Sequence, residues 1–168
     1  GDDSATNRHA AFEEALKDYP DIEVVDSQTA SWSQSDAMAL VENWIVNYPD
    51  LKGIMGTSSF DAPGVARAIQ ELGLVDKFFT SGTGMPADNA ELLKSGVIKS
   101  LTLWDPAKSG EAMVDLACKV LAGEEIGAPV NLNVDGYTEM NFREGSETVL
   151  EGQGWITIDA DNVDDFGF

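Results

Sequence analysis

Histidine and cysteine are almost absent from this chain: His9 and Cys118 are the only ones among 168 residues. A single cysteine forms no internal disulfide. Its setting among Met113, Val114, Leu116, Ala117, Val120 and Leu121 predicts a small buried side chain on a helix. A single histidine excludes a histidine-rich metal centre. Only His9 could serve a Ser-His-Asp triad, and no Gly-x-Ser-x-Gly elbow accompanies it. Basic side chains are scarce as well, with ten Lys and Arg against thirty Asp and Glu, a net charge of −20. Such a field repels phosphate backbones and anionic lipid heads, which argues against nucleic-acid binding and against direct membrane insertion. The carboxylates are spread along the whole chain, the pattern of a surface kept hydrated at high salt. No apolar run reaches the roughly 18–20 residues of a membrane span. The opening Gly1, Asp2 and Asp3 do not read as a signal peptide, so the targeting sequence of an exported protein would lie upstream.

Phosphate-binding signatures are missing too. There is no Gly-x-Gly-x-x-Gly and no Walker sequence, and Gly82-Thr83-Gly84 is too short to replace them, so no nucleotide cofactor is expected. Asp159, Asp161, Asp164 and Asp165 resemble a calcium loop only loosely, because Val163 occupies the position where a fifth-place ligand is needed. Neither a metal nor any other cofactor is expected. No nucleophile-base or acid-base pair stands out, so the reading is of a binding protein without catalytic residues, not an enzyme.

What the sequence does contain is an alternation of helical and extended apolar periods. Phe12, Ala15, Leu16 and Tyr19 share a helix face, with Thr6 or Asn7 as its cap and Pro20 as its stop. Residues 22–25 read as a strand, and 35–47 as a helix burying Ala37, Met38, Val41, Trp44 and Ile45. The rhythm continues through strand 51–55, helix 62–72, strand 77–80, helix 86–94, strand 98–104 and helix 106–122. Beyond Gly123 it breaks into short strands at 130–134, 137–142 and 155–158, with a helical turn at 161–166. Repeated β-α-β units predict an α/β fold, a three-layer α/β/α arrangement around a parallel sheet.

Parallel sheets of this kind bind ligands at the carboxyl ends of their strands, where helix N-termini converge. The rule selects the loops 27–34, 56–61 and 81–86 and the junction 104–106. From them come Trp32, Thr57, Ser58, Ser59, Asp61, Thr83 and Trp104 as candidate binding residues. Hydroxyls and a carboxylate beside indole rings suit a polyhydroxylated ligand, which offers hydrogen-bonding rims and apolar C–H faces. Ser58, Ser59 and Asp61 could equally cap the helix that follows.

Several stretches carry a resemblance. Ala5-Thr6-Asn7-Arg8, Tyr48-Pro49-Asp50-Leu51-Lys52-Gly53-Ile54, Ala62-Pro63-Gly64-Val65-Ala66, Thr83-Gly84-Met85-Pro86, Leu93-Lys94-Ser95-Gly96 and Leu103-Trp104-Asp105-Pro106 occur in an order and spacing similar to the C-terminal half of type I periplasmic binding proteins. The similarity points to the autoinducer-2-, rhamnose- and simple-sugar-binding branch, and the ending Asp161-Asn162-Val163-Asp164-Asp165-Phe166 fits it too. The resemblance implies two α/β lobes joined by three crossovers, with ligand trapped between them by hinge closure. By position it adds Asn7 and Arg8 as ligand contacts, Met85 and Pro86 in a further contact loop, and Trp104, Asp105 and Ile158 as hinge residues. Ser58 falls where relatives often carry Asn or Asp.

The resemblance further implies a ligand-binding lobe over 1–105 that lacks its first strand, a segment 106–154 that packs on an N-terminal lobe outside this chain, and a return crossover with tail over 155–168. A fragment of that kind either self-associates or keeps the missing half as a second chain. The implied function is the periplasmic or extracellular sugar-binding component of an ABC importer, handing its ligand to the permease, either free or held by a lipid anchor upstream of this chain. The alternative is the effector-binding domain of a LacI-type transcription regulator.

Overall fold

The structure, a computed structural model, describes residues 3–168, with side chains from residue 5 onward. It divides into two compact units. One contains the described chain up to Thr102 together with Thr157–Phe168, and the other is Leu103–Ile156.

The first unit is built on a sheet whose strands run in the order β1 (Gly53–Met55), β2 (Phe79–Thr83), β3 (Ser100–Trp104), β6 (Trp155–Ile158). β1 pairs parallel with β2, Ile54 opposite Thr80, and β2 pairs parallel with β3, Gly82 opposite Leu101. Parallel neighbours require a crossover, and here helix α3 (Asp61–Glu71) follows β1 while α4 (Pro86–Lys94) follows β2. Helices α1 (Asp3–Leu16) and α2 (Gln34–Asn47) precede the sheet in sequence, and α5 (Pro106–Leu121) follows β3. The α/β class is the one the periodicity predicts.

Burial explains why these segments pair. Val41, Ala66, Ile69, Leu101 and Ile158 are completely enclosed, and Leu93, Val97 and Ile98 nearly so. Each such branched side chain contributes about 1.5–3 kcal/mol when it leaves water. The Thr80 hydroxyl, also buried, donates to the Val97 carbonyl and so satisfies its own polar group inside the core. The ends of α3 are set by local chemistry. Gly73 at φ +69 lets the Leu74 amide reach back to Ile69 O (2.9 Å) and the Gly73 amide to Gln70 O (3.0 Å), closing the last turn. Gly64, inside that helix, is there for space: a Cβ would lie 2.6 Å from Gln34 O and 2.8 Å from Ala37 Cβ of α2.

Several expectations change. The stretch 22–25 forms no strand; Ile22, Val24 and Val25 are 54, 44 and 42% exposed. A strand exists only by pairing, and β1, the edge of the sheet, pairs with β2 alone among the described residues. Helix α1 begins at Asp3, so Thr6 and Asn7 lie inside it instead of capping it, and it ends before Tyr19, which is exposed. The strand placed at 77–80 begins two residues later, because Val75–Lys77 winds into a 3-10 turn, and it runs on through Thr83. The end of the chain has a 3-10 turn only at Val163–Asp165.

In the second unit, the extended stretches 130–134 and 137–142 shrink to a single Val130–Met140 bridge and the two-residue strand β4 (Asn141–Phe142). β4 pairs antiparallel with β5 (Leu150–Glu151), a strand not anticipated from sequence. A small core of Ala112, Leu132 and Met140, joined by Leu116, Val130, Val134, Tyr137 and Leu150, holds this unit together. Leu116 is therefore covered by its own unit, whereas Met113, Val114, Val120 and Leu121 stand 57–87% exposed. Cys118 is exposed, not buried, because this core takes the face of α5 around Ala112 and Leu116.

The Gly64 contact gives the first test. Gly64→Ala should destabilise the protein by about 1–3 kcal/mol through overpacking between α2 and α3, read as a lower denaturation midpoint at unchanged m-value. A neutral result would show that the two helices separate at little cost.

Candidate functional site

The loop after β1 is the best-fixed part of the carboxyl edge of the sheet. Asp61, at the first position of α3, turns its carboxylate back into that loop, and Oδ2 accepts from the amides of Thr57 (3.0 Å) and Ser58 (2.9 Å). Across the same peptide unit, Arg8 of α1 donates through Nη1 to the Thr57 carbonyl at 2.6 Å. Thr57 is thus held at both its N–H and its C=O. Ser58 is 7% exposed, and its hydroxyl accepts weakly from the Phe60 amide at 3.4 Å. Neither Ser58 nor Asp61 caps α3: Phe60 is the capping residue and makes no side-chain bond to the helix. The capping alternative is thereby corrected, because Asp61 serves the loop before the helix.

Trp32 lies in the turn entering α2. Ser31 and Trp32 both adopt left-handed backbone, φ 48 and 60, a conformation that costs a non-glycine residue about 1–2 kcal/mol each. Ser33 then caps α2, its hydroxyl accepting from the Asp36 amide at 3.2 Å. The strained turn presents the Trp32 indole edge-on to Phe60, ring centroids 6.2 Å apart, with both rings substantially exposed (50 and 40%). Phe60 was not selected from sequence; nothing in its immediate neighbours signals a partner in another loop. Behind this turn the Trp44 indole N–H donates to Asp26 Oδ2 at 2.7 Å and, with Gln28, holds that carboxyl below the ordinary aspartate range.

The third loop carries Thr83, Met85 and Pro86. Thr83 and Pro86 are buried and Met85 half-buried. Pro86 opens α4, where its missing N–H costs nothing. Asn89, 1% exposed, donates through Nδ2 to the Met85 carbonyl at 2.9 Å and fixes the loop from inside the helix. Asn7 lies exposed on α1, one residue from Arg8.

Trp104 and Asp105 belong to the second unit. There Trp104 meets Trp155 edge-to-face at 5.7 Å, beside an open depression of about 230 Å³ lined by Ser109, Tyr137 and Gly154. Asp105 caps α5, accepting from the amides of Ala107 (2.8 Å) and Lys108 (3.3 Å). Ile158 is fully enclosed in the first unit. The chain passes between the units at Thr102–Leu103 and Ile156–Thr157.

One grouping resembles a hydrolytic triad. Ser27 Oγ is 2.8 Å from His9 Nε2, and Glu13 lies 3.7 Å from His9 Nδ1. Its chemistry is unfavourable: the Glu13 contact exceeds hydrogen-bond length, both partners are exposed, and the Ser27 amide, the natural oxyanion donor, is occupied by the Asp26 carboxylate at 2.8 Å. No cluster of metal-ligating residues occurs among the described residues. No described helix is long and apolar enough to cross a membrane.

A parallel α/β sheet with polar loops at its carboxyl edge describes a family, and residues 1–125 match the family described as the periplasmic binding protein domain. The chain belongs to that family. Among curated proteins it is 28% identical over 117 residues to the D-apiose import binding protein of Actinobacillus succinogenes, spanning 68% of this chain and 38% of that protein. It is 27% identical over 136 residues to the ribose import binding protein of Salmonella typhimurium, spanning 80% of this chain and 45% of that protein. The chain therefore spans less than half the length of these relatives. Among solved structures it resembles an ABC transporter solute-binding protein from Agrobacterium vitis bound with α-D-tagatopyranose (TM-score 0.74, 24% identity, 96% of this chain, 47% of that one). It also resembles LsrB from Clostridium saccharobutylicum in complex with AI-2 (TM-score 0.71, 18% identity, 93% of this chain, 53% of that one). These likenesses establish the fold, that of a type I periplasmic binding protein lobe.

Two outcomes follow from the loop geometry. Asp61→Ala strips the acceptor from two part-buried amides and should cost about 1–3 kcal/mol, with Asp61→Asn milder; chemical denaturation reads both. Asp26 has a depressed folded-state pKa, so its contribution to stability is present above the unfolded value of 3.8 and is lost as pH falls through the lower folded value. In Trp44→Phe the Asp26 carboxyl should titrate closer to 3.8 when followed by NMR; an unmoved titration would remove the indole as its cause.

Proposed function

We propose that this chain is part of the solute-binding component of an ABC importer, a non-enzymatic receptor for a monosaccharide or an autoinducer-2-like small sugar. The observation that carries the reading is the carboxyl edge of the sheet. There an exposed Trp32–Phe60 pair, held by a strained turn, adjoins a loop rich in hydroxyls and fixed backbone groups, in a chain of this family. Aromatic faces pack on sugar C–H surfaces, while Ser58, Asp61 and Arg8 supply donors and acceptors for hydroxyls. Relatives named as import binding proteins for apiose and ribose support the same ligand class.

In this reading Asn7, Arg8, Trp32, Ser58, Asp61, Met85 and Pro86 form one wall of the site. Trp104, Asp105 and Ile158 lie at the crossovers about which the lobes would close. Residues 1–105 serve as the ligand lobe and 106–154 pack on an N-terminal lobe, which would cover the exposed Met113, Val114, Val120 and Leu121 of α5. The unpaired outer edge of β1 and the extended apolar stretch at 22–25 would take the lobe's further strand. The receptor works in the periplasm or outside the cell and delivers its sugar to a membrane permease. The −20 net charge speaks against the alternative, the effector domain of a LacI-type DNA-binding regulator.

A thermal-shift screen of the full-length protein against pentoses, deoxyhexoses, hexoses and autoinducer-2, at low and molar salt, tests this. At least one should raise the melting temperature, since a ligand that binds only the folded state stabilises it; no shift with any, in a folded sample, would overturn the reading. With the ligand in hand, Arg8→Ala should weaken binding tenfold or more, about 1.4 kcal/mol, by isothermal titration.

A further inference from the structure

The chain beyond β6 doubles back onto α4, the helix that carries the Met85–Pro86 loop at its start. The path is fixed step by step. After β6, Asn162 locks a turn: its Oδ1 accepts from the Asp159 amide (2.9 Å) and its Nδ2 donates to the Thr157 carbonyl (3.0 Å). Asp159 in turn accepts from the Asp161 amide at 2.9 Å. Val163, 2% exposed, anchors the following 3-10 turn in the first unit, and that turn packs against α4. Asp164 then meets Lys94, the last residue of α4, at 2.6 Å. Phe166 and Phe168 stack edge-to-face at 6.0 Å, and the Phe168 carbonyl accepts from the Ala87 amide at 3.1 Å.

That last bond matters because of where it lands. Ala87 is the second residue of α4, and its amide is one of the first-turn donors that no helical carbonyl can satisfy. Here the acceptor is the carbonyl of Phe168, distant along the chain, not a capping side chain; Met85, the capping residue, makes none. The Met85–Pro86 loop is consequently held from two directions, by Asn89 Nδ2 on the Met85 carbonyl and by Phe168 one residue past Pro86. Gly84 adds to the constraint, since a Cβ there would approach Asn89 Nδ2 to 3.0 Å. The ion pair at Lys94 is exposed and worth little by itself; it aligns the strap along the helix while Phe168 fixes the first turn.

We propose that residues 163–168 form a positioning strap for the candidate ligand loop, in which the Phe168 carbonyl sets the first turn of α4 and thereby the placement of Met85 and Pro86. Phe168 is a positioning residue: it acts on the site through Ala87. Its effect on affinity rests on the sugar-receptor reading, whereas its hold on the loop does not.

The full-length protein lacking residues 167 and 168 is compared with the parent and with Phe168→Ala and Phe168→Tyr, which also serve if the shortened chain does not fold. In sugar-free protein, hydrogen exchange at the amides of residues 84, 85 and 87–89 should quicken at least tenfold in the shortened protein and several-fold in Phe168→Ala. It should return to the parental rate in Phe168→Tyr, while α2 and β1 stay unchanged throughout. For the sugar found by thermal shift, Kd should rise at least fivefold in the shortened protein, measured well below its melting temperature. Unchanged exchange at these amides overturns the strap outright, and faster exchange with unchanged Kd overturns its positioning role. Faster exchange in the shortened form, where the parent binds no sugar, upholds the hold on the loop and counts against the sugar reading alone.

Discussion

The peptide unit at Thr57 is the point on which the candidate site depends. Its C=O is held by Arg8 and its N–H, that of Ser58, by Asp61, so a residue of α1 and the first residue of α3 meet across one backbone link. Backbone groups at a strand end have no ladder partner, and leaving them unpaired in a part-buried place costs about 1–3 kcal/mol each. Satisfying them with side chains from two different helices converts that cost into a constraint. The loop cannot shift without breaking bonds to both helices, and Ser58 and Phe60 are carried with it.

The same logic recurs along the carboxyl edge. The turn at Ser31 and Trp32 is strained and persists because Ser33 caps α2 directly behind it, while the Trp44–Asp26 bond holds the preceding segment. The Met85 loop is tied by Asn89 and by the returning chain. Three loops are thus tied by side-chain acceptors and donors, an arrangement that lowers the ordering cost of any binding at this edge. The core beneath supplies the fixed platform: Ile69, Leu93, Leu101 and Ile158 leave no room for the strands to slide.

Much of this was legible in the sequence. The strand-end rule picks out Ser58, Asp61 and Thr83 from the β-α rhythm alone, since glycine, proline and apolar period mark each element boundary, while Met85 and Pro86 come from the family resemblance. The capping alternative for Asp61 fails, because its carboxylate reaches backward to the loop and not forward to the helix, a choice of rotamer that spacing does not encode. The strand expected at 22–25 fails for a related reason. Ile22, Val24 and Val25 have strand propensity, yet a strand is a property of two paired segments, and among the described residues β1, at the edge of the sheet, pairs with β2 alone. Cys118 sits on a helix as expected, but which face of that helix is covered depends on Leu132 and Met140, residues the local pattern cannot link to it.

The sequence by itself determined the class of fold, the alternation of helices and strands between residues 34 and 121 and the net acidic charge, because these follow from periodicity, composition and chain direction. Only the tertiary structure decided which groups meet: Arg8 with Thr57, Trp32 with Phe60, Trp44 with Asp26, and Phe168 with Ala87. Each of those contacts joins segments distant along the chain. Their geometry is set by how the helices seat on the sheet, and no local run of residues contains that information.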